Sequence, residues 1–173
     1  MIILDRDEIR RAVMRLSMEI IEKNKGTDNL VLVGIRTRGA VLAKKMRREI
    51  ARIEGVELPF GTLDVARHRD DLSAAERDAR YVGNEIDFSI DGKSVALIDD
   101  IMYTGRTVRA AVSALAELGN PESVRLYTLI DRGHRELPFR PDAVGKYVPS
   151  SSEEKVKVHF TETDGEEAVL LLK

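Results

Sequence analysis

Asp99 and Asp100 are adjacent carboxylates set directly after the apolar tetrad Val95-Ala96-Leu97-Ile98. Beyond Ile101 and Met102 comes Tyr103-Thr104-Gly105-Arg106-Thr107, a polar turn rich in hydroxyl, backbone N–H and guanidinium donors. A carboxylate pair suits sugar hydroxyls or a hydrated Mg²⁺. A small-residue turn that opens a helix offers free N–H groups and the positive end of the helix dipole, which attract phosphate. A phosphorylated ribose needs both. A second anion-binding candidate is Arg36-Thr37-Arg38-Gly39: with Gly34 and Gly39 on either side, the backbone can turn sharply and approach a dense anion. It is not a Walker loop, since no Lys-Ser or Lys-Thr pair follows Gly39, and Gly92-Lys93-Ser94 has Asp87 where that motif needs its first glycine. Three scattered histidines make no metal triad.

The elements that must hold these residues follow from the hydrophobic pattern. Val95 to Ile98 suits a strand buried on both faces, with the acids at its carboxyl end, and Val108, Ala111, Val112, Leu115 and Leu118 recur at helical steps until Gly119-Asn120-Pro121. Leu30 to Ile35 reads as a strand feeding Arg36, and Ala40, Leu42, Ala43 and Met46 begin a helix closed by Gly55. An earlier helix, capped by Asp5 or Asp7, carries Ile9, Val13, Leu16, Ile20 and Ile21 on one face and ends at Asn24-Lys25-Gly26. Val56 to Val65 reads as a strand with Pro59-Phe60-Gly61 irregular within it, residues 66 to 80 as a charge-dense solvated loop or short exposed helix, and Val82 to Ile90 as an edge ribbon. Ser123 to Ile130 is a further strand. Val156, Val158 and Phe160 against Ala168, Leu170 and Leu172 predict a terminal hairpin turned at Asp164-Gly165. Strands alternating with helices predict an α/β domain with a mostly parallel sheet and a site at the carboxyl ends of its strands. No linker or repeat divides residues 1 to 173, which read as a single domain.

Composition narrows the function classes. Net charge is −2, which excludes a globally basic nucleic-acid binder while leaving room for a local basic face. Hydrophobic residues at 43% and aromatic ones at 5% imply a mainly aliphatic interior. Zero cysteines exclude disulfides and thiolate metal sites and agree with a cytoplasmic setting, and no apolar run reaches membrane length.

The stretch from Val95 to Thr107 closely resembles the signature of type I phosphoribosyltransferases, which bind 5-phosphoribosyl-1-pyrophosphate (PRPP). The resemblance implies a type I phosphoribosyltransferase fold: a mostly parallel central sheet flanked by helices, with a small hood and a C-terminal hairpin. It assigns the catalytic pair to Asp99 and Asp100 on the ribose 2- and 3-hydroxyls. It gives Ile101, Met102, Tyr103, Thr104, Gly105, Arg106 and Thr107 to PRPP, the last five around the 5-phosphate. Arg36, Thr37, Arg38 and Gly39 take the pyrophosphate, a mobile loop containing Arg69 and Asp70 closes over PRPP, and Mg²⁺ arrives with PRPP and has no dedicated cluster of protein ligands.

The tail, Leu129 to Pro138 and Phe139 to Ser150, together with Arg69-Asp70-Asp71 and Ile35 to Gly39, resembles pyrimidine operon regulators. These bind pyr leader mRNA in a uridine-nucleotide-dependent way, cause transcription attenuation, and also convert uracil and PRPP to UMP and diphosphate. The implied ligands are PRPP, uracil, UMP or UTP and pyr mRNA, and the implied assembly is a homodimer able to form tetramers. The resemblance places Arg132 and Val156 beside the base; on its own chemistry, Arg132 could instead pair with Asp131 or Glu136. RNA binding falls to Arg10, Arg11, Arg15 and Lys25 across a subunit pair, although as isolated residues they also read as a solvated helix face. The chain departs from the family at Arg67-His68, where relatives carry Leu-Tyr, and at Met14 and Met18, where RNA-regulating members tend to carry Thr and His. A phosphoribosyltransferase without RNA binding, acting on uracil or on a purine, is the alternative.

Overall fold

The computed structural model describes residues 1–173. Local sequence signals set the helix ends. The Asp5 carboxylate accepts a hydrogen bond from Glu8 N–H at 2.8 Å, and Glu8 accepts from Asp5 N–H at 2.9 Å. This reciprocal capping box starts α1 (Arg6–Asn24). Helix α2 (Arg38–Glu54) starts two residues earlier than its apolar run and stops at Gly55, which adopts φ +68.

Five parallel strands form the central sheet in the order β3 (Phe60–Leu63), β2 (Leu30–Ile35), β4 (Ser94–Met102), β5 (Ser123–Asp131) and β6 (Ala143–Tyr147). Strand β2 is buried along its whole length, as a strand covered by helices on both faces must be. Its alternate residues feed two separate cores. Leu30 and Leu32 pack with α1 and α2, whereas Val31, Val33 and Ile35 pack with α4 (Arg106–Leu118). A second sheet, β1 (Ile2–Leu4), β8 (Ala168–Leu172) and β7 (Lys155–His159), is antiparallel and forms the hood.

Several expectations are corrected. The strand expected over 56–65 shrinks to Phe60–Leu63, because pairing with β2 begins only at Leu32↔Phe60, and residues 56–59 carry the chain from the end of α2 to the sheet edge. The ribbon expected over 82–90 is a single bridge, Thr62↔Glu85. The Val82 and Gly83 N–H groups donate to the Asp64 side chain and are lost to a ladder. Val112 and Leu118 are exposed, and α4 turns Val108, Ala110, Ala111, Ala114 and Leu115 inward, an alanine-rich face that lies close to the sheet. In the hairpin the fully buried side chain of β8 is Val169, not Leu170 or Leu172, because the register sets Val169 opposite buried Val158. The turn at Asp164-Gly165 is preceded by a single helical turn, α5 (Thr161–Asp164). Strand β6 has no counterpart among the strands the sequence pattern predicts. Within residues 66–80 the chain forms a 3-10 turn at Ala66–His68 and α3 (Ala74–Arg80), which buries no residue.

Candidate active site

Strand β4 runs through the acid pair to Met102, and pairing with β5 resumes at Ile101↔Ile130. The Asp99 side chain accepts from Asp100 N–H at 2.9 Å, and that of Asp100 accepts from Ile101 N–H at 2.9 Å. Burial pushes the Asp99 carboxyl well above the usual carboxylate range, and the neighbouring Asp100 charge adds to the rise. Burial also raises Asp100, and hydrogen bonding to Asp99 and to Ile101 N–H, then the Arg38 charge, partly offset it. A buried acid, Asp99, beside a half-buried one, Asp100, is poised for a ligand that brings hydroxyl donors or positive charge.

The Arg36-to-Gly39 turn lies against them. A Cβ on Gly39 would stand 2.6 Å from the Ile98 carbonyl oxygen and 3.1 Å from Asp99 Cα, and one on Gly34 would stand 2.5 Å from Ala40 Cα. Two glycines therefore let the start of α2 press onto β2 and β4, which brings helix N–H groups beside the acids. The Arg36–Thr37 peptide is cis. Arg38 binds Asp164 of the hood through Nε at 3.3 Å and Nη2 at 2.5 Å, and this pairing holds Asp164 well below the usual carboxylate range.

The third component is the turn into α4. Gly105 precedes the helix at φ +95, a conformation that a side chain rarely tolerates. The Thr104 carbonyl accepts from Glu136 N–H and Leu137 N–H at 2.9 and 3.0 Å, which fixes the turn to the segment after β5. The loop predicted to be mobile lies over this turn. Arg69 donates to Thr107 Oγ1 at 3.1 Å, and Asp70 accepts from Arg106 at 2.8 Å.

Three hollows follow one another along this edge. One of about 370 Å³ is lined by Val156, Val158, Arg38, Asp100 and Ile101 among others. It shares Arg38, Asp100 and Ile101 with a central hollow of about 260 Å³ that also contains Arg36, Thr37 and Asp99. The central one shares Arg69, Ile101 and Thr107 with a third of about 430 Å³, which is lined by the Tyr103-to-Thr107 turn.

Val156 thus lines the first hollow, but Arg132 lines none of the three. Its guanidinium donates to Ser150 Oγ and to the Ser151 and Glu154 carbonyls at 3.0, 2.9 and 2.7 Å, and lies 4.2 Å from the Tyr103 ring centre. Arg132 pairs with neither Asp131 nor Glu136, which are taken by Arg135 and Arg106. It fastens the segment that leads into β7. The basic residues of α1 are not gathered into one cavity. Arg10 pairs with Asp7 and lines a crevice beside Arg6, Lys45 and Arg48, Arg15 donates to carbonyls of β6, and Lys25 lines a separate pocket. Met18 is exposed. The sequence does not single out Asp64, marks Asp164 only as part of a turn, and offers Glu136 only as a possible partner of Arg132, because the partners of each are set by tertiary contacts.

The sequence pattern of the phosphoribosyl transferase domain family matches residues 2–158. The chain is 54% identical to a bifunctional protein PyrR of Pelotomaculum thermopropionicum, covering 99% of this chain and 94% of that one. It is 53% identical to the protein of that name from Alkaliphilus metalliredigens, over 98% and 93%. Among solved structures, a hypoxanthine phosphoribosyltransferase of Trypanosoma cruzi superposes with a TM-score of 0.74 at 20% identity, over 99% of this chain and 95% of that one. One from Staphylococcus aureus gives 0.73 at 23%, over 100% and 91%. At these identities the structural likeness speaks for the fold alone.

Proposed function

We infer that this chain, which belongs to the bifunctional PyrR proteins within the phosphoribosyltransferase family, is a pyrimidine operon regulator that also transfers phosphoribose from PRPP to uracil. The observation that carries the site assignment is the run of three contiguous hollows, in the order required by a base, a ribose with its pyrophosphate, and a 5-phosphate.

In this reading uracil enters beside Val156, in a wall that Arg132 holds in place. Asp99 and Asp100 take the ribose hydroxyls, which fixes C1 toward the base. The C1–O bond breaks with its electron pair leaving on diphosphate, N1 of uracil bonds to C1, and the N1 proton passes to solvent water. Negative charge gathers on the departing pyrophosphate beside Arg36, Arg38 and the N–H groups that open α2, a preorganised stabilisation of the kind that usually dominates such catalysis. An electron-poor ring also reacts with water, so a covering segment at 66–80 favours transfer over hydrolysis. No cluster of three His, Asp or Glu side chains could cage a metal. The adjacent carboxyl groups suit a cation carried by the substrate, with Asp99 and Asp100 as its protein contacts. When bound with PRPP, Mg²⁺ supplies charge neutralisation of the pyrophosphate oxygens.

Offered uracil, hypoxanthine, guanine and orotate together with labelled PRPP, the protein is expected to form UMP in large excess over the other nucleotides. Dominant inosine or guanosine monophosphate would overturn the uracil assignment while leaving the PRPP chemistry intact.

The regulatory half follows the relatives' family. With net charge −2, an RNA site must be a local basic surface, and in this reading Arg10, Arg11, Arg15 and Lys25 supply it across a subunit pair. The expected result is a gel shift of pyr leader RNA that tightens with UMP and weakens steeply with salt, by about one power of salt concentration per neutralised phosphate. A shift indifferent to UMP would count against it. No helix is long and apolar enough to cross a membrane.

A further inference from the structure

Asp64, at the end of β3, has no part in the chemistry above, yet its buried carboxylate gathers the stems of the covering loop. One oxygen accepts from Ala66 N–H at 3.0 Å, where the chain leaves the sheet. The other accepts from Val82 N–H and Gly83 N–H at 2.7 and 3.0 Å, where it returns. The Asp64 N–H itself donates to Asn84 Oδ1 at 2.7 Å. A negative charge shared among backbone N–H groups binds both stems more firmly than neutral bonds would.

Arg36 meets the same hub. Its Nη2 donates to the Gly83 carbonyl at 3.0 Å and stands 3.5 Å from Glu85. Its Nε is buried, has no hydrogen-bond partner, and lies 4.0 Å from the nearer Asp64 oxygen. A buried guanidinium N–H without an acceptor is unfavourable and is relieved by any anion within reach. Gly83, at φ +117 with open space around it, turns its N–H to Asp64 and its carbonyl to Arg36. One residue thus joins the loop to the turn that faces the acid pair.

We propose that Asp64 is a positioning residue that couples the Arg36 turn to the loop over residues 66–82. An anion that draws Arg36 toward Asp99 and Asp100 takes it from the Gly83 carbonyl, and the two stems, held on one carboxylate, move together. This rests on the reading of Arg36 to Gly39 as the pyrophosphate turn.

The test uses the full chain and trypsin, which cuts after Arg67, Arg69, Arg77 and Arg80 in the loop. In the wild type, PRPP with Mg²⁺ should slow loop cleavage about tenfold. Asp64→Asn, checked for a native melting curve, should cleave about tenfold faster without ligand and lose the PRPP protection. Its KM for PRPP should rise about tenfold while its KM for uracil stays within about twofold. Gly83→Ala, which strains the hinge without filling space, should show the same pattern and serves if Asp64→Asn does not fold. Wild-type cleavage and protection in both folded variants would overturn the coupling on its own. A wild type that PRPP fails to protect would overturn it through failure of the PRPP reading, so the two failures are distinguishable.

Discussion

Asp99→Asn lowers kcat for UMP formation by about two to three orders of magnitude, the usual loss when one preorganised charge is removed from a reacting centre. The same substitution raises the melting temperature of the ligand-free protein at pH 7 to 8. The stability gain follows from burial: the Asp99 carboxyl lies out of water beside another acid, so its folded-state pKa is raised. For an acid with a raised folded pKa, the folded state holds the proton longer than the unfolded chain does. Stability therefore falls as pH climbs from the ordinary carboxylate pKa through the raised one, and levels off above it. Asparagine has no proton to lose. Its advantage should vanish near pH 3 to 4 and be largest at alkaline pH, each kcal/mol regained appearing as about 2–4 °C in Tm. Steady-state rates at saturating PRPP and melting curves at several pH values measure both halves. A pH-independent Tm difference would refute the claim that burial raises the Asp99 pKa. Asp164 acts with the opposite sign: held below the usual range by Arg38, its contribution is present at neutral pH and is lost as pH falls through the acid range.

Gly39→Ala is expected to cost about 1–3 kcal/mol of stability and to reduce activity by about a hundredfold or more, since displacing reacting groups by about 1 Å has that effect. Gly39 lies inside α2, where alanine is intrinsically better by about 1 kcal/mol. Propensity alone predicts stabilisation. The added Cβ would, however, stand 2.6 Å from the Ile98 carbonyl oxygen and 3.2 Å from Asp99 Oδ1. Neither neighbour can yield cheaply. Ile98 belongs to a central strand paired on both sides, and the other wall is the start of a long helix. Whatever moves shifts either the acid pair or the Arg36 turn. Urea midpoints and kcat for Gly39→Ala check this, and an unchanged midpoint would mean that α2 can slide on the sheet at no cost.

What the sequence determined by itself is local. The apolar run of β2, an acidic cap at the start of α1, the acid pair and the glycine turn into α4 are each written in residue types and spacing over a few positions. Their assembly into one edge also followed, because alternating strands and helices with right-handed crossovers bring strand ends together. Tertiary structure decided the partners of long side chains. Arg132 is held by residues 18 to 22 positions away, Arg38 by Asp164 at a separation of 126, and Arg15 by β6 at 129. It also decided that Val82 and Gly83 answer to the Asp64 side chain instead of extending a ribbon. A guanidinium or a free N–H accepts any oxygen that arrives with the right geometry, and only packing of distant segments selects which one does.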